Sequence, residues 1–131
     1  MKNTQTVKKA LEDFTKGDIP SILNSLDENV TWINPNAPEV PYSISATNRK
    51  DVGGFFKTMA DFIDVTRFEM NNFTEQDSTV VSWGSYDATV KSTGKKFTTP
   101  MVLTWKFNNE GKVTHWQAFT DTLAQSKAFL N

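Results

Sequence analysis

The spacing of apolar residues changes character near residue 63, and no other feature constrains the fold as much. Before that point apolar side chains recur mainly three or four residues apart, the period of a helix with one buried face. After it they mainly alternate, the period of a strand with one buried face. Val7, Ala10, Leu11 and Phe14 form one helical face, and Gly17 stops it. Asp18 caps a second, short helix with Pro20 in its first turn and Ile22, Leu23 and Leu26 on its face. Asp27-Glu28-Asn29 turns the chain into a short strand over 30–34, ended by Pro35. Residues 35–47 hold three of the five prolines and read as a loop. Asn48 caps a third helix that reaches about Phe62, with Phe55, Phe56, Met59 and Phe62 as its apolar content. Gly53-Gly54 counts against that helix on propensity.

The remainder reads as four strands, at about 65–75, 79–91, 95–107 and 112–120. The turns between them, Gln76-Asp77-Ser78, Ser92-Thr93-Gly94 and Asn108-Asn109-Glu110-Gly111, are short, so consecutive strands run antiparallel. A last helix starts from Asp121 as its cap, with Leu123, Ala124 and Phe129 as anchors. Three helices followed by a long antiparallel sheet predict an α+β fold, with the helices on one face of a curved sheet. With 131 residues and no repeat, low-complexity tract or linker, the chain reads as a single domain, 1–131.

Composition narrows the function classes. Sixteen Phe, Trp and Tyr residues argue against disorder. A net charge of −1 offers no basic field for nucleic acid or an anionic membrane, and Lys8-Lys9 and Lys95-Lys96 are isolated pairs. Without Cys there is no disulfide, thiol nucleophile or Cys-ligated zinc. The lone histidine, His115, lacks a carboxylate cluster with which to close a metal site. No apolar run nears the roughly 18 residues of a membrane span. The first residues carry charges where a signal peptide needs an apolar stretch. The expectation is a cytoplasmic protein with no metal and no cofactor.

The order of the motifs resembles a known family. Phe14-x-x-Gly17-Asp18 joins two helices, D-E-N-V-T-W-I-N-P spans 27–35, and a proline loop leads to a helix carrying Phe55-Phe56. Four strands then close on G-K-V-T-H-W-Q-A-F-T-D-T at 111–122. Together these are similar to the SnoaL-like family of the nuclear-transport-factor-two-like, ketosteroid-isomerase-like superfamily, over about residues 5–129. The resemblance implies a cone: a bent antiparallel sheet wrapped around the three N-terminal helices, enclosing an apolar pocket. It also implies a homodimer paired through the outer sheet face. Members include isomerases, polyketide cyclases, dehydratases and epoxide hydrolases, and also binding domains without chemistry, so the fold leaves function open. Steroid isomerases of the superfamily use an Asp base on the first strand, with a Tyr and a protonated Asp as oxyanion donors. The matching positions here are Asn34, Ala10 and Leu103, so that mechanism lacks its groups. Arg49 and Arg67 do not complete the Asp-Arg-Asp set of the epoxide hydrolases.

The Asn34 and Leu103 matches set strand parity. Trp32 and Asn34, with Thr99, Met101 and Leu103, then face the pocket. So do Tyr86, Ala88 and Val90, and Trp116, Ala118 and Thr120. Phe14, Phe55, Phe56 and Met59 close the helix side. Such a lining suits a small apolar molecule, ring-like or polyketide- or steroid-like, oriented by one or two hydrogen bonds. Asn34 either orients that ligand or caps the turn before Pro35. Tyr86 either offers its hydroxyl to the ligand or fills the core. Trp32 and Trp116 either stack on a ligand ring or belong to the core. His115 and Asp121 are the catalytic candidates by residue type, but parity turns His115 outward and Asp121 reads first as a helix cap. Asp87 also points outward.

The outer sheet face carries Val81, Trp83, Val102, Thr104, His115, Gln117 and Phe119. A patch holding Trp83 and Phe119 is unusual on a monomer and predicts a homodimer through this face. The functional expectation is therefore a pocket protein for a small apolar molecule, with catalysis unresolved. The alternatives are an isomerase, cyclase or dehydratase that uses other residues, and a dimeric interaction domain without a ligand.

Overall fold

The computed structural model describes residues 2–131. Its elements are α1 (Lys2–Lys16), α2 (Ile19–Asn24), β1 (Leu26–Asn34), β2 (Ile44–Ala46), α3 (Arg49–Phe62), β3 (Ile63–Gln76), β4 (Thr79–Val90), β5 (Lys96–Phe107), β6 (Val113–Thr120) and α4 (Thr122–Phe129). The six strands form one curved sheet in the order β2-β1-β6-β5-β4-β3. Strands β3 to β6 run antiparallel, as their short turns require. Strand β1 lies parallel to β6, so the sheet is mixed rather than wholly antiparallel. No turn joins these two strands, and their direction is set by packing.

Local signals place the helices. Gly17 sits at φ 73°, a conformation that suits glycine, and the Asp18 N–H donates to Asp13 O at 2.8 Å to close the end of α1. The Asp18 carboxylate then accepts from the Ser21 N–H at 3.2 Å and caps α2. Asn48 Oδ1 accepts from the Asp51 N–H at 3.0 Å to start α3. Val52, Phe55 and Phe56 face inward from that helix, while Phe62 in its last turn is exposed.

Four sequence expectations change. Leu26 is not on α2; it opens β1, fully buried and paired with Val113. Asp27-Glu28-Asn29 is a bulge within β1, where the register with β6 shifts between Leu26 and Thr31. The stretch 35–47 is not all loop, because Ile44–Ala46 pairs antiparallel with Asn34, Ile33 and Trp32. Prolines 35, 38 and 41 lack an N–H and keep the chain off the sheet, and pairing resumes once they are passed. In α4 the buried face is Gln125, Ser126 and Ala128, whereas Leu123, expected as an anchor, is 62% exposed.

Alternation holds along the long strands. Phe97, Thr99, Met101, Leu103, Trp105 and Phe107 of β5 are buried, and the residues between them face outward. The pairings with β4 and β6 carry this parity across the sheet. The core therefore lies between the inner sheet face and helices α1 and α3. Among the described residues no helix is long and apolar enough to cross a membrane.

Strand β3 slips register between Glu69 and Asn72, and there its backbone folds over Gly84. A Cβ at residue 84 would lie 1.8 Å from Glu69 O, a backbone atom that no side-chain rotation can move aside. Gly54 on α3 is the opposite case, with nothing within 4 Å of an added Cβ. Gly84→Ala should cost at least about 3 kcal/mol in urea unfolding. Gly54→Ala should raise stability by about 0.5–1 kcal/mol. Unchanged stability of Gly84→Ala would mean that β3 does not cross residue 84 in this way.

Candidate functional site

Between the inner sheet face and helices α1 and α3 lies a cavity with about 70 Å³ open to the centre of a water-sized sphere. That is room for a few waters or a small part of a ligand. Trp32 and Asn34 of β1, Tyr86 of β4, and Met101 and Leu103 of β5 form its sheet wall, continued by Trp116, Ala118 and Thr120 of β6. Phe14 of α1 and Phe55, Phe56 and Met59 of α3 form the opposite wall. Ala88 is buried but does not line the cavity. Ala10, Asn34 and Leu103, the positions matched to the steroid-isomerase groups, all line the space. Partly exposed lining residues, Phe14, Met59, Val65 and Phe68, frame its opening.

The aromatic wall is built on the parallel pairing of β1 with β6, which sets Trp32 beside Trp116. The two indoles stack with centroids 3.9 Å apart and planes 8° from parallel. They stack on each other, so neither ring holds a free face for a ligand between them. Phe55 and Phe56 meet Trp32 edge-on at 6.0 and 5.6 Å, and Trp105 meets Trp116 edge-on at 6.4 Å. The Trp105 indole N–H donates to Ser82 Oγ at 3.0 Å. The Trp32 indole N–H is buried without any partner. An unpaired buried donor costs about 1–3 kcal/mol. Aromatic pairs return about 0.5–1.5 kcal/mol each beyond their burial, so the three ring contacts of Trp32 offset that cost.

The polar part of the wall comes from segments far apart in sequence. Asn34 Nδ2 donates to Tyr42 O at 3.2 Å, so its amide holds the proline loop while the residue lines the cavity. The Tyr42 hydroxyl donates to Gln125 Oε1 at 3.0 Å, and Asn36 Nδ2 donates to the same oxygen at 3.2 Å. The Tyr86 hydroxyl reaches that oxygen only at 3.5 Å. Gln125 Nε2 donates in turn to Thr120 Oγ1 at 2.8 Å. A carbonyl oxygen has two lone pairs, so three donors oversubscribe it and Tyr86 is held least. Glu39 accepts from the Ser126 hydroxyl, tying the same loop to α4 a second time. Burial pushes both tyrosine hydroxyls above their ordinary range, and for Tyr42 the neighbouring Tyr86 adds to the rise. Both are therefore neutral donors at physiological pH, not bases.

The two catalytic candidates lie elsewhere. His115 sits on the outer side of β6, paired with Lys106 and Thr31. Asp121 is exposed, and its carboxylate accepts from the Ala124 N–H at 2.9 Å as the cap of α4. Among the described residues neither lines the cavity, nor does any other Asp, Glu, His, Lys or Arg. Proton transfer by a carboxylate or imidazole has no group to use there. Asp87 points outward as expected, clamped by Arg67 at 2.8 and 2.9 Å, and the guanidinium lowers its carboxyl to about 2. Among the described residues no group of three His, Asp or Glu side chains is placed to hold a metal ion.

Sequence reasoning missed Tyr42, Trp105 and Gln125. Trp105 was within reach, since it shares the parity of Met101 and Leu103. Val40 and Tyr42 are buried members of a proline-rich loop, and large side chains there were a signal that it is anchored. Gln125 left no signal, because a glutamine on a short terminal helix is ordinary. Gln125→Leu should cost about 3 kcal/mol in chemical unfolding, because it strands the Tyr42 and Asn36 donors. Adding Tyr42→Phe should cost less than the sum of the single changes, because it removes a stranded donor. Strict additivity would show that the two side chains do not share a bond.

A family model described as a SnoaL-like domain matches residues 7–116. No curated protein matches the chain in sequence. Among solved structures, an NTF2-like protein from Burkholderia xenovorans is similar, with 24% identity, 98% of this chain and 96% of that one covered, and a TM-score of 0.88. TerC, co-crystallised with polyporic acid, is 20% identical with 98% of each chain covered and a TM-score of 0.84. A candidate polyketide cyclase from Xanthomonas campestris pv. campestris is 16% identical, with 98% and 97% covered and a TM-score of 0.81. At these identities the structures speak for the fold, while the sequence match, spanning most of the chain, decides the family. The chain belongs to the SnoaL-like family and has the NTF2-like fold.

Proposed function

We propose that this protein binds a small, flat, mostly apolar molecule bearing a hydrogen-bond acceptor such as a carbonyl. The observation that carries the reading is the Tyr86 hydroxyl, a neutral donor on a mostly apolar wall, held only at 3.5 Å by an acceptor already serving two closer donors. The ligand's acceptor takes that hydroxyl, while Phe14, Phe55, Phe56 and Met59 cover its apolar body. TerC, co-crystallised with polyporic acid, supports a small-molecule role for this architecture.

A second reading has one observation in its favour. The neutral Tyr86 hydroxyl, with Tyr42 beside it committed to Gln125, can polarise a carbonyl, and the likeness to a candidate polyketide cyclase suits such positioning chemistry. In that case the cavity promotes a reaction by orientation and hydrogen bonding, without an acid–base pair.

The outer face supports pairing with a second copy. Trp83, Val102 and Phe119 are register neighbours across β4, β5 and β6, and are 40%, 37% and 48% exposed. Such a contiguous apolar row is covered economically by the same row of a twofold partner.

Native mass spectrometry of freshly purified protein, with solvent extraction of what it carries, tests the pocket. A co-purified carbonyl-bearing apolar molecule whose retention falls in Tyr86→Phe is the expected result. No bound molecule, together with no change in melting temperature across a panel of flat aromatic ketones, would count against it. Sedimentation tests the pairing: a wild-type dimer that Trp83→Glu turns into monomers is expected. A wild-type monomer, or a dimer indifferent to Trp83→Glu, would remove the assigned face.

A further inference from the structure

Of the fully buried side-chain polar atoms among the described residues, only Trp32 Nε1 and Asn36 Oδ1 lack a partner. Of those two residues only Trp32 lines the cavity. Trp32 is 1% exposed and its Nε1 is itself buried, so neither bulk water nor a water in the cavity as it stands replaces a protein acceptor. Its immediate neighbours are rings, Trp116, Phe55 and Phe56, which offer packing but no oxygen.

Trp105 provides an internal comparison. It is equally buried on the same sheet face, and the fold gives its N–H a dedicated acceptor in Ser82. A Phe at position 32 would supply ring contacts without a stranded donor. The indole N–H therefore has no acceptor in the closed protein, and the residue that carries it lines the cavity although the N–H itself is covered. We infer that Trp32 Nε1–H is a specificity-determining donor for an acceptor atom, a carbonyl or ring oxygen, on the ligand. The inference deepens the binding reading given above and rests on it.

The size of the cavity shows how the donor comes within reach. An apolar cavity of about 150 Å³ accommodates benzene. The space here is about 70 Å³, so any ring that enters must displace part of the lining. The side chains of Phe14, Met59 and Phe68, partly exposed at the opening, are free to give way, whereas the buried side chains of β1, β5 and β6 are not. Opening and binding are one event, and pairing the stranded N–H favours the opened form only when the ligand brings an acceptor. Selectivity follows because an equally shaped ligand without that oxygen leaves the donor unpaired.

The test uses 1-indanone and indane, one bicycle with and without a carbonyl, titrated into ¹⁵N-labelled protein. The Trp32 indole signal is identified by its absence from Trp32→Phe. It should move downfield with 1-indanone and not with indane. The ratio of 1-indanone to indane affinity should fall about tenfold from wild type to Trp32→Phe, the loss of one hydrogen bond. Trp83→Phe, the same change on the outer sheet face away from the cavity, should keep the wild-type ratio. If both probes bind wild type while the Trp32 signal stays still and the ratio survives Trp32→Phe, the donor role is wrong and the binding site stands. If neither probe binds wild type, the binding reading falls and takes the inference with it. If Trp32→Phe does not fold, the unmoved or shifted indole signal is assigned by elimination from Trp83, Trp105 and Trp116 variants and decides the matter alone.

Discussion

The stacked contact of Trp32 with Trp116 joins the two halves of the chain. Trp32 belongs to the strand that follows the first helices, and Trp116 to the last strand of the antiparallel run. Their parallel pairing aligns the rings face to face, and Phe55, Phe56 and Trp105 then close around them edge-on. The helical half and the strand half are thus held at one aromatic node, and the cavity is the space this node and the helices fail to fill. Large rigid rings cannot tile a curved surface completely, and a gap beside them is the natural result.

The polar edge of that gap depends on a different device. The proline loop and the terminal helix α4 meet at Gln125, whose amide collects Tyr42 and Asn36 and reaches Thr120 and Tyr86. Helix α4 is docked by this network together with the apolar contacts of Ala128 and Phe129, the latter edge-on to the Tyr42 ring. A buried amide with several partners orients the groups around it and confines the hydrogen-bonding character of the cavity to one part of the wall. Elsewhere the wall is hydrocarbon and ring, and no ionisable carboxylate, amine or imidazole joins it. The lining groups that can hydrogen-bond are neutral, and the positions matched to the steroid-isomerase groups, Asn34, Ala10 and Leu103, carry neither acid nor base.

Much of the sheet was legible because alternation is a local code. One inward residue on β5, Leu103, sets the orientation of Met101, Thr99 and their partners, and a single helical face places Val7, Ala10 and Leu11. Caps were legible for the same reason, since Asp18, Asn48 and Asp121 act on backbone groups within three residues. Strand β2 was not legible, because three residues after a proline loop show too little pattern and form a strand only because β1 offers them an edge. The bulge at Asp27-Glu28-Asn29 looked like a turn, because both break alternation and only the partner strand distinguishes them.

By itself the sequence determined the element order, the inward and outward faces of the long strands, and the absence of the usual acid and base from the matched positions. These follow from spacing and residue type, which act over a few neighbours. Only the tertiary structure decided that the tryptophans stack on each other, that Gln125 gathers Tyr42 and Tyr86, and that Trp32 is left with an unpaired N–H. It also decided that Gly84 must stay small beneath the β3 backbone. Each of these depends on atoms brought together from distant segments, and no local pattern encodes a distance between them.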